Sequence, residues 1–435
     1  MNTKNTNFKE SGIAWIGQIP KHWEVIRNKY ILSGLYSGGT PTSGTAKFYT
    51  DEDYGIPFVS IGDMSKKEFI ESTKTKITKF GILDKNLKIL PKNTILYSIY
   101  ATIGEVAELK CSATISQALL ALFVKNSYNK QFYKYNLKAM KDYIFFESSG
   151  TTQFNLNAKK VSNFSFVYPP LNEQKEIAEF LDKKCEIIDK RLSNLERKIK
   201  SLKEYKKSLI SECVTKGLNP KNMEFKDSGI PWIGQIPKHW EIKKLKYITD
   251  YNTETLSENT SEDYEFDYVD IGSVTYENGI EQLQHLKFKN APSRARRIVK
   301  KDDVILSTVR TYLKATASIP ENDHPIIVST GFITFRAKTE ILSLYLKYAI
   351  QCDVFISDVE SRSIGISYPA ITSTEVIQMK ILVPPLNEQK EIAEFLDKKC
   401  EKIDRLNENY TKQITALKEY KKSLIYECVT GKKEI

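Results

Sequence analysis

The chain has 435 residues, of which 41% are hydrophobic and 27% charged, proportions typical of a globular protein with two or three cores. Its first residues, MNTKNTNFKE, form no apolar segment, and no run of about 18 apolar residues follows, so we expect no signal peptide, no membrane span and a cytoplasmic location. The net charge of +11 favours a polyanionic partner such as nucleic acid, although a lysine-rich protein without such a partner would carry the same charge.

A tryptophan-rich segment, here called the box, occurs twice. It reads SGIAWIGQIPKHWE from Ser11 and SGIPWIGQIPKHWE from Ser228. The two copies contain all four tryptophans of the chain, Trp15, Trp23, Trp232 and Trp240. This repeat predicts an internal duplication. Repeated indoles beside proline indicate either a structural joint that packs against helix ends or a docking face for a partner protein.

Each box is followed by a region that differs between the two halves. In residues 25–168, GIPFVSIGDM, TILYSIYATI and QALLALFV are typical of strands, and QFYKYNLKAMKDYIFF is predicted to be helical. Residues 242–383 repeat this order with the strand-like FDYVDIGSV, DVILSTV and FITFRA and the helical EILSLYLKYAIQCDVFISDV. We therefore predict two mixed α/β domains of about 140 residues each, within the usual range of domain sizes.

A second repeated segment, PPLNEQKEIAEFLDKKCE, begins at Pro169 and again at Pro384. The two prolines end the preceding strand, and the residues that follow are good helix formers. Each predicted helix has about 40 residues and is roughly 60 Å long. Apolar residues recur at alternating steps of four and three, as in a coiled-coil seam. The seam residues are Leu181, Ile188, Leu192, Leu195, Ile199 and Leu202 in the first helix and Leu396, Ile403, Ile414 and Leu417 in the second.

We expect the two helices to form an antiparallel coiled coil. Only a short linker joins the first helix to the second box, and the entry and exit of a compact domain usually lie close together. Parallel pairing would place Lys206 opposite Lys421 in the seam, whereas antiparallel pairing places each lysine near an end, where its stem can reach solvent. Asn407 and Tyr410 interrupt the second seam and could fix its register or face another protein. The alternative is that each helix docks separately onto its own half of the chain.

The predicted fold class is therefore α+β, with two mixed α/β domains joined by two long helices in an antiparallel coiled coil and a pseudo-two-fold internal repeat. The predicted boundaries are 1–168 for the first domain (box 8–24, variable region 25–168), 169–217 for the central helix, 218–383 for the second domain (linker 218–227, box 228–241, variable region 242–383) and 384–435 for the C-terminal helix.

The sequence indicates neither a metal site nor an active site. None of the six cysteines forms a C-x-x-C pair or lies near a histidine at zinc-binding spacing. No G-x-x-x-x-G-K-[ST] loop occurs, so an ATPase P-loop is absent. The only Pro-Pro pairs read YPPL and VPPL, without the flanking residues of an adenine methyltransferase motif. We predict a binding protein with no catalytic residues, no metal and no cofactor of its own.

The two boxes and the two PPLNEQKEIAEFLDKK segments together resemble the specificity subunits of type I restriction-modification enzymes, which carry two target-recognition domains. The likeness extends from about Phe8 to Lys432 and includes YGIPFVSIGDM, ILYSIYATIGEVA, GTTQFNLNAKKV, VILSTVRTYLKA and STGFITFRA. The resemblance implies a non-catalytic subunit that binds double-stranded DNA, with each domain reading one half of a split, asymmetric target and the helices setting the gap. It also implies two methyltransferase subunits with S-adenosylmethionine, and restriction subunits that use ATP and Mg.

Candidate DNA contacts in the second variable region lie in its polar loops. PSRARRIVKKD concentrates the basic residues Arg294, Arg296, Arg297, Lys300 and Lys301, which could neutralise phosphates. STVRTYLK supplies Arg310, Tyr312 and Lys314 where the family carries basic and aromatic residues, and SRSIGISYP supplies Arg362, Ser363 and Tyr368. Arginine can read guanine through two hydrogen bonds. For each arginine, a solvated surface charge is the alternative interpretation.

Candidate contacts in the first variable region are mostly polar. They are Thr42 and Ser43 in YSGGTPTSGT, Lys66 and Lys67 after GIPFVSIGDM, Tyr100 and Thr102 in SIYAT, and Thr152, Gln153 and Asn155 in TTQFN. The side-chain amides of Gln153 and Asn155 match the hydrogen-bonding edge of adenine. Thr151 and Thr152 could equally cap the next segment.

Three functions remain open from the sequence. The first is the DNA specificity subunit of a type I complex, or of a related type II restriction-modification assembly with the same architecture. The second is a self-sufficient DNA-modifying enzyme with an unrecognised active site. The third is a coiled-coil scaffold that does not bind DNA, which leaves the two divergent regions unexplained.

Overall fold

The computed structural model describes residues 7–65, 67–148, 156–230 and 233–435. The chain divides into two compact units. The first unit combines Met1–Leu195 with Lys412–Ile435, and the second unit is Glu196–Thr411. Each unit contains one box, one variable region and a part of both long helices. The predicted fold class is confirmed, since each unit mixes sheets with helices and the repeat extends through both.

The elements of the first unit follow the order predicted for the first variable region. The strands are β1 (Phe8–Glu10), β2 (Gln18–Pro20), β3 (Glu24–Arg27), β4 (Leu32–Ser37), β5 (Tyr49–Thr50), β6 (Ile56–Val59), β7 (Phe69–Ile70), β8 (Thr75–Ile77), β9 (Ile95–Ser98), β10 (Val106–Leu109), β11 (Thr114–Ile115), β12 (Leu119–Val124) and β13 (Ser165–Tyr168). The helices are α1 (Asn28–Ile31), α2 (Ile61–Met64), α3 (Lys79–Asp84), α4 (Lys130–Ser148), α5 (Ala158–Ser162) and the long α6 (Leu171–Lys216).

Two sheets form the variable part of the first unit. One has the order β4-β12-β9-β10-β7 and the other β11-β6-β8-β5. Successive side chains of a strand point to opposite faces, and β9 shows this alternation. Ile95 and Tyr97 pack in the same core as Phe132 of α4, whereas Leu96 packs with Val59 of the second sheet. The central sheet therefore has one face on the helices and the other on the second sheet.

The second unit repeats this plan. Its strands are β14 (Phe225–Asp227), β15 (Gln235–Pro237), β16 (Glu241–Lys244), β17 (Thr249–Tyr251), β18 (Glu254–Thr255), β19 (Glu265–Val269), β20 (Val274–Thr275), β21 (Gly279–Ile280), β22 (Gln284–Lys287), β23 (Ala295–Val299), β24 (Val304–Ser307), β25 (Thr316–Ser318), β26 (Ile326–Ser329), β27 (Phe332–Ala337) and β28 (Lys380–Val383). Its helices are α7 (Leu245–Ile248), α8 (Ser343–Gln351), α9 (Asp353–Arg362), α10 (Ser373–Val376) and the long α11 (Leu386–Val429).

The sheets of the second unit show the duplication in three dimensions. Their orders are β17-β27-β24-β25 and β18-β23-β26-β19-β22. The first corresponds strand by strand to β4-β12-β9-β10. In the second, the neighbours β26, β19 and β22 correspond to β11, β6 and β8, including a parallel pair at β19 and β26 that matches the parallel pair of β6 and β11. The scaffold is therefore retained although the variable sequences have diverged.

Each box packs against the first turn of one long helix. In the first unit, the buried indole of Trp23 donates from Nε1 to Oε2 of Glu173 at 2.8 Å. In the second unit, Trp240 makes the same bond to Glu388 at 2.9 Å. Of the two interpretations of the box, the structure shows the joint at these two tryptophans. Trp232 lies outside the described residues.

The boxes also contact the far ends of the helices. Gly431 follows α11 with φ 73°, and a Cβ added there would lie 2.5 Å from Pro20 and 3.0 Å from Trp23. Gly217 follows α6 with φ 76°, and a Cβ there would lie 3.3 Å from Trp240. Glycine is required at both positions because the left-handed backbone ends the helix and because the indole approaches closely. Each box thus joins the start of one helix to the end of the other within its own unit.

The helices run antiparallel within each unit. In the second unit, Nζ of Lys206 lies 2.7 Å from both carboxylate oxygens of Asp404. In the first unit, Nζ of Lys421 lies 2.6 and 2.7 Å from those of Asp189. The two pairs occupy equivalent places in the repeat. Each lysine therefore ends on an aspartate of the opposing helix rather than in solvent alone.

The predicted seam residues differ in burial. Leu181, Ile188, Leu195, Leu396 and Ile403 are buried, and Leu192, Ile199, Leu202, Ile414 and Leu417 are half-buried. At the interruption, Oδ1 of Asn407 is buried and has no hydrogen-bond partner in the described part of the chain. The ring of Tyr410 lies 5.5 Å from Nζ of Lys198. The seam is thus polar near the middle of α11.

Several predicted strands and one predicted helix are shorter than expected, and two of them have a clear local cause. The strand-like GIPFVSIGDM ends as a strand at Val59, and its remainder forms α2, where Ser60 and Asp63 form a capping box. The predicted helix from Glu340 is divided into α8 and α9 by Cys352, whose φ of −59° and ψ of 134° are extended. A capping signal and a single extended residue are local features that hydrophobic periodicity does not detect.

Candidate nucleic-acid interface

The loop after β24 in the second unit, residues 308–314, contains two residues with left-handed backbone. Arg310 has φ 52° and ψ 49°, and Lys314 has φ 52° and ψ 28°. This conformation costs a residue with a Cβ about 1–2 kcal/mol, so contacts elsewhere must hold the loop. Thr308 provides two of them, since its backbone N and its Oγ1 donate to the carbonyl of Gly331 at 2.8 and 2.9 Å.

A second loop, residues 363–371, packs against the first. Oγ1 of Thr311 donates to Oγ of Ser363 at 2.8 Å. The guanidinium of Arg310 lies over the ring of Tyr368, 5.1 Å from its centroid. The structure therefore brings together six residues proposed from the sequence, which we call the second-unit loop site: Arg310, Tyr312, Lys314, Arg362, Ser363 and Tyr368.

The basic side chains of this site differ in their partners. Nζ of Lys314 lies 3.2 Å from Oε2 of Glu360. Nε of Arg362 donates to Oδ1 of Asp358 at 2.7 Å. Arg310 forms neither an ion pair nor a hydrogen bond through its side chain with the residues that the structure describes. Of the three, Arg310 has its donors available for a ligand.

The same loops expose apolar side chains. Ile366 is fully exposed and Ile364 is 79% exposed. Tyr312, Leu313 and Tyr368 also lie largely at the surface. A group of exposed apolar residues with charged neighbours is typical of a binding surface. The methyl group of thymine is the apolar feature that DNA offers to such residues in the major groove.

The basic stretch 294–301 does not form one unpaired patch. Arg294 is exposed just before β23, and its guanidinium forms neither a hydrogen bond nor an ion pair with the described residues. Arg296 packs 5.0 Å from the ring centroid of Phe288. Arg297 is half-buried, its Nε lacks a described hydrogen-bond partner, and burial lowers the pKa of its guanidinium. Of the three, only Arg294 is exposed and without a hydrogen bond or ion pair to the residues that the structure describes.

The two lysines at the end of this stretch are paired with acids. Nζ of Lys300 lies 2.7 Å from Glu254, and Nζ of Lys301 lies 2.6 Å from Glu321. Both pairs are at the surface, where solvent weakens them, so a phosphate could compete for the lysines. The charge of the stretch is nevertheless largely balanced within the unit.

The loop after β9, residues 99–104, is the first-unit counterpart of the loop after β24. Ile99 N donates to the carbonyl of Ala118 at 2.9 Å, as Thr308 N does to Gly331. Ala101, with φ 56°, has the left-handed backbone found at Arg310. At equivalent positions of these two loops, the first unit therefore has an alanine and the second unit an arginine.

The first-unit candidates have mixed surroundings. Tyr100 and Thr102 are exposed in the loop after β9. Thr42 donates from its N and its Oγ1 to Oδ2 of Asp84 at 3.0 and 3.1 Å, and the backbone bond holds the pKa of that carboxyl below its usual value. Ser43 is exposed and has no hydrogen bond to the described residues. The hydrogen-bonding groups of Thr42 are therefore occupied by Asp84, whereas the hydroxyl of Ser43 could bind a ligand.

The other first-unit candidates are less informative. Lys67 is exposed just after α2. Four candidates lie outside the described residues: Lys66, Thr152, Gln153 and Asn155.

Gln117 and Thr330 are exposed residues that the sequence did not single out. They occupy equivalent turns, after β11 and after β26. Oε1 of Gln117 accepts a hydrogen bond from Oγ1 of Thr40, and Thr330 N donates to the carbonyl of Arg294 at 2.8 Å. Each turn therefore connects loops that carry other candidates. The sequence could have identified this pair, because aligning SQALLALFV with STGFITFRA at their first serines places Gln117 opposite Thr330.

Two histidines outside the boxes lie together in the second unit. The rings of His285 and His324 are 4.7 Å apart, and Nδ1 of His285 lies 2.8 Å from Oδ1 of Asp267. No group of three or more His, Cys, Asp or Glu within the described ranges could hold a metal ion. Among the helices described, none is both long and apolar enough to cross a membrane.

These features define a class of protein. One scaffold occurs twice, each copy is tied to a helix pair by its box, and different loops stand on equivalent strands. This is an internally duplicated protein with two different sets of loops on one repeated scaffold. The family model for the type I restriction modification DNA specificity domain matches residues 20–203 and 237–416, and the chain belongs to this family.

Relatives and solved structures agree with the assignment. The chain is 26% identical over 441 residues to the type I restriction enzyme MjaVIII specificity subunit of Methanocaldococcus jannaschii, a match that covers 99% of this chain and 96% of that one. A chain from a study of complex assembly and conformational transition of the type I R-M system has a TM-score of 0.70 at 14% identity and covers 95% of this chain and 99% of its own. The HsdS subunit of Thermoanaerobacter tengcongensis has a TM-score of 0.52 at 14% identity over 95% and 98%. Both structures share the fold.

Proposed function

We propose that this specificity subunit binds a bipartite, asymmetric DNA target, with one half-site per recognition domain. The observation that carries the proposal is the pair Ala101 and Arg310, which have the same left-handed backbone at equivalent points of equivalent loops but differ in side chain. Two identical domains would read two identical half-sites, whereas two different loop surfaces read different ones. The exposed apolar and basic residues of the second-unit loop site supply the chemistry for such reading.

We further propose that the paired helices set the gap between the half-sites. α6 is one uninterrupted helix of 46 residues, which corresponds to about 70 Å. The ion pairs of Lys206 with Asp404 and of Lys421 with Asp189 oppose sliding of the two helices. A rigid spacer of fixed register would permit only one distance between the half-sites.

The catalytic partners are also part of the proposal. Two methyltransferase subunits would bind equivalent surfaces of the repeated scaffold, because a repeated surface binds identical partners in equivalent ways. Restriction subunits would join them. S-adenosylmethionine, ATP and Mg would then be held by these partners in the cytoplasm, and this chain would contribute binding but no catalytic group.

The test is methylome sequencing of a host that expresses this chain with and without a type I methyltransferase subunit that forms a complex with it. The expected result is a split, asymmetric motif with methyladenine in each half, seen only when both proteins are present. Methylation by this chain alone would reveal an active site in it. No new methylation with a competent partner would favour a scaffold that does not read DNA.

A further inference from the structure

We propose that Arg310, stacked on Tyr368, reads a guanine in the half-site bound by the second unit. This inference rests on the proposed function and names the base that one side chain recognises. It depends on three observations. The arginine side chain has no acid and no hydrogen-bond acceptor among the described residues, its backbone is held by contacts of the loop, and its guanidinium is positioned by an aromatic ring.

The first observation is availability. Most of the basic residues around the second-unit loop site already have partners. Lys314 is paired with Glu360, and Arg362 with Asp358. Arg310 has no acid and no hydrogen-bond acceptor at its side chain among the described residues. Its guanidinium therefore keeps its full set of N–H donors for a ligand.

The second observation is the held backbone. Left-handed φ at an arginine is unfavourable, and such strain persists only where surrounding contacts impose it, often at functional sites. Here the loop is held on both sides of Arg310. Thr308 bonds twice to Gly331, and Thr311 bonds to Ser363. The Cα of Arg310 is thus fixed although its side chain is exposed.

The third observation is the position of the head. The ring of Tyr368 lies 5.1 Å from the guanidinium carbon and is itself 67% exposed. Stacking on an aromatic face restrains the guanidinium plane and leaves its edge free. A restrained arginine edge matches O6 and N7 of guanine in the major groove, which it binds through two hydrogen bonds. The exposed Ile364 and Ile366 beside it would contact an apolar part of the same groove.

The first unit provides an internal comparison. Its equivalent residue, Ala101, also has a positive φ, 56° against 52° at Arg310, but no side-chain group that could donate to a base. The guanine contact is therefore predicted for one half-site only. Arg310→Ala reproduces the first-unit residue at this point and preserves the loop, because both residues already occur there with left-handed backbone.

The experiment uses the full chain purified in complex with a type I methyltransferase subunit that binds it. The complex is incubated with a duplex library randomised over both half-sites, and the bound duplexes are sequenced. We expect Arg310→Ala to reduce the preference for guanine at one base pair about tenfold to hundredfold, with the other half-site unchanged. Arg310→Gln should shift that preference towards adenine, since an amide pairs with adenine in the same groove.

Two further variants test the role of Tyr368. Tyr368→Phe keeps the ring and should retain the guanine preference, whereas Tyr368→Leu should weaken it at the same base pair. The charge-matched control is Arg405→Ala, which removes the same formal charge from an exposed arginine of α11 that is paired with Glu401 and lies outside the loop site. It should leave the preference at that base pair intact.

The outcomes separate this inference from the function on which it rests. If the wild-type complex selects no split motif, the proposed function fails and the inference fails with it. If the wild type selects a split motif but Arg310→Ala weakens all sequences equally, Arg310 contacts phosphate and the guanine assignment is wrong. Exchange of residues 25–168 identifies the half-site read by the first unit. If Arg310→Ala changes the base preference in that half-site, the guanine assignment is also wrong.

Discussion

Glu388 and Gln389, adjacent in the first turn of α11, bind two different parts of the second unit. Glu388 accepts from Trp240 of the box at 2.9 Å. Gln389 is fully buried, and its Oε1 accepts from the backbone N of Leu342, just before α8, at 2.8 Å. Gln174 is equally buried at the start of α6 and accepts from the N of Asn129, just before α4, at 2.7 Å. The repeated NEQ sequence thus positions a box and a domain helix together.

Gln389→Leu tests this arrangement with little change in side-chain volume. Besides the bond from Leu342, Nε2 of Gln389 donates to the carbonyls of Glu340 and Pro384 at 3.0 and 2.8 Å. The variant leaves buried backbone groups without partners, so we expect the free energy of unfolding to fall by about 2–4 kcal/mol. Urea denaturation measures the difference. Glu391→Ala, an exposed position in the same helix, is the control and should change stability by less than about 0.5 kcal/mol.

Of the ion pairs in the second-unit loop site, one could have been predicted from the sequence and the other could not. The pair of Asp358 with Arg362 has the helical i,i+4 spacing and could have been predicted once α9 was placed. Glu360 and Lys314 are far apart in the chain and meet only because the two loops pack together. The sequence therefore identified the residues of this site but not that Arg310, alone among its basic residues, has no acidic partner in the described part of the chain.

At the scale of elements, the two ion pairs distinguish antiparallel from parallel helices. Lys206 and Lys421 are equivalent residues of the repeat, as are Asp189 and Asp404. In each unit a lysine from the end of one helix meets an aspartate near the start of the other. A parallel arrangement in register would instead bring the two lysines together and the two aspartates together. The chain direction was predictable because that like-charge contact is unfavourable.

Charge reversal at one pair tests the helix direction. Asp404→Lys should lower the free energy of unfolding by about 0.5–1 kcal/mol, because two lysines then face each other, with the side chain of Lys206 half-buried and position 404 exposed. Adding Lys206→Asp should restore most of the loss. Thermal unfolding of the two single variants and the double variant gives the coupling energy. Lys200→Asp in place of Lys206→Asp should rescue nothing, and equal rescue by both would contradict the pairing.

The division of the predicted second-unit helix at Cys352 was not predictable from periodicity. The surrounding sequence, YAIQCDVFI, contains neither proline nor glycine, the residues that usually end helices. Asp353 stands in the first turn of α9 and is the only favourable sign of a new helix start. The bend depends on tertiary packing, since both α8 and α9 contribute buried residues to the main core of the second unit.

At the scale of the whole molecule, comparison of the two units shows which structural features the duplication retains and which differ. Strand order, box contacts and helix ion pairs recur in both units. The loops differ, as at Ala101 and Arg310. The retained features were predictable because their residues repeat in the sequence. Loop contacts were not, because each depends on residues that occur in one unit only.

Exchange of a variable region should therefore change one half of the target. Replacing residues 25–168 with the corresponding region of another family member leaves the first box and α6 in place. We expect a new sequence in one half-site, with the other half-site and the gap unchanged, as read by methylome sequencing. The reciprocal exchange of residues 242–383 is the control and should alter the opposite half. Changes in both halves from a single exchange would show that the domains do not read independently.

Insertion into the helices tests the spacer. Four residues added near Asn194 lengthen α6 by about 6 Å, close to two base-pair steps, and turn its faces by about 40°. The insertion lengthens α6 but not α11, so the ion pairs of the two units cannot form at the same time. We therefore expect DNA binding to be lost. Adding four residues also near Asn409, the equivalent position of α11, restores the match between the helices. The paired variant should then recognise the same half-sites at a longer gap, measured with duplexes of graded spacing. An unchanged gap in the paired variant would show that the helices do not set the distance.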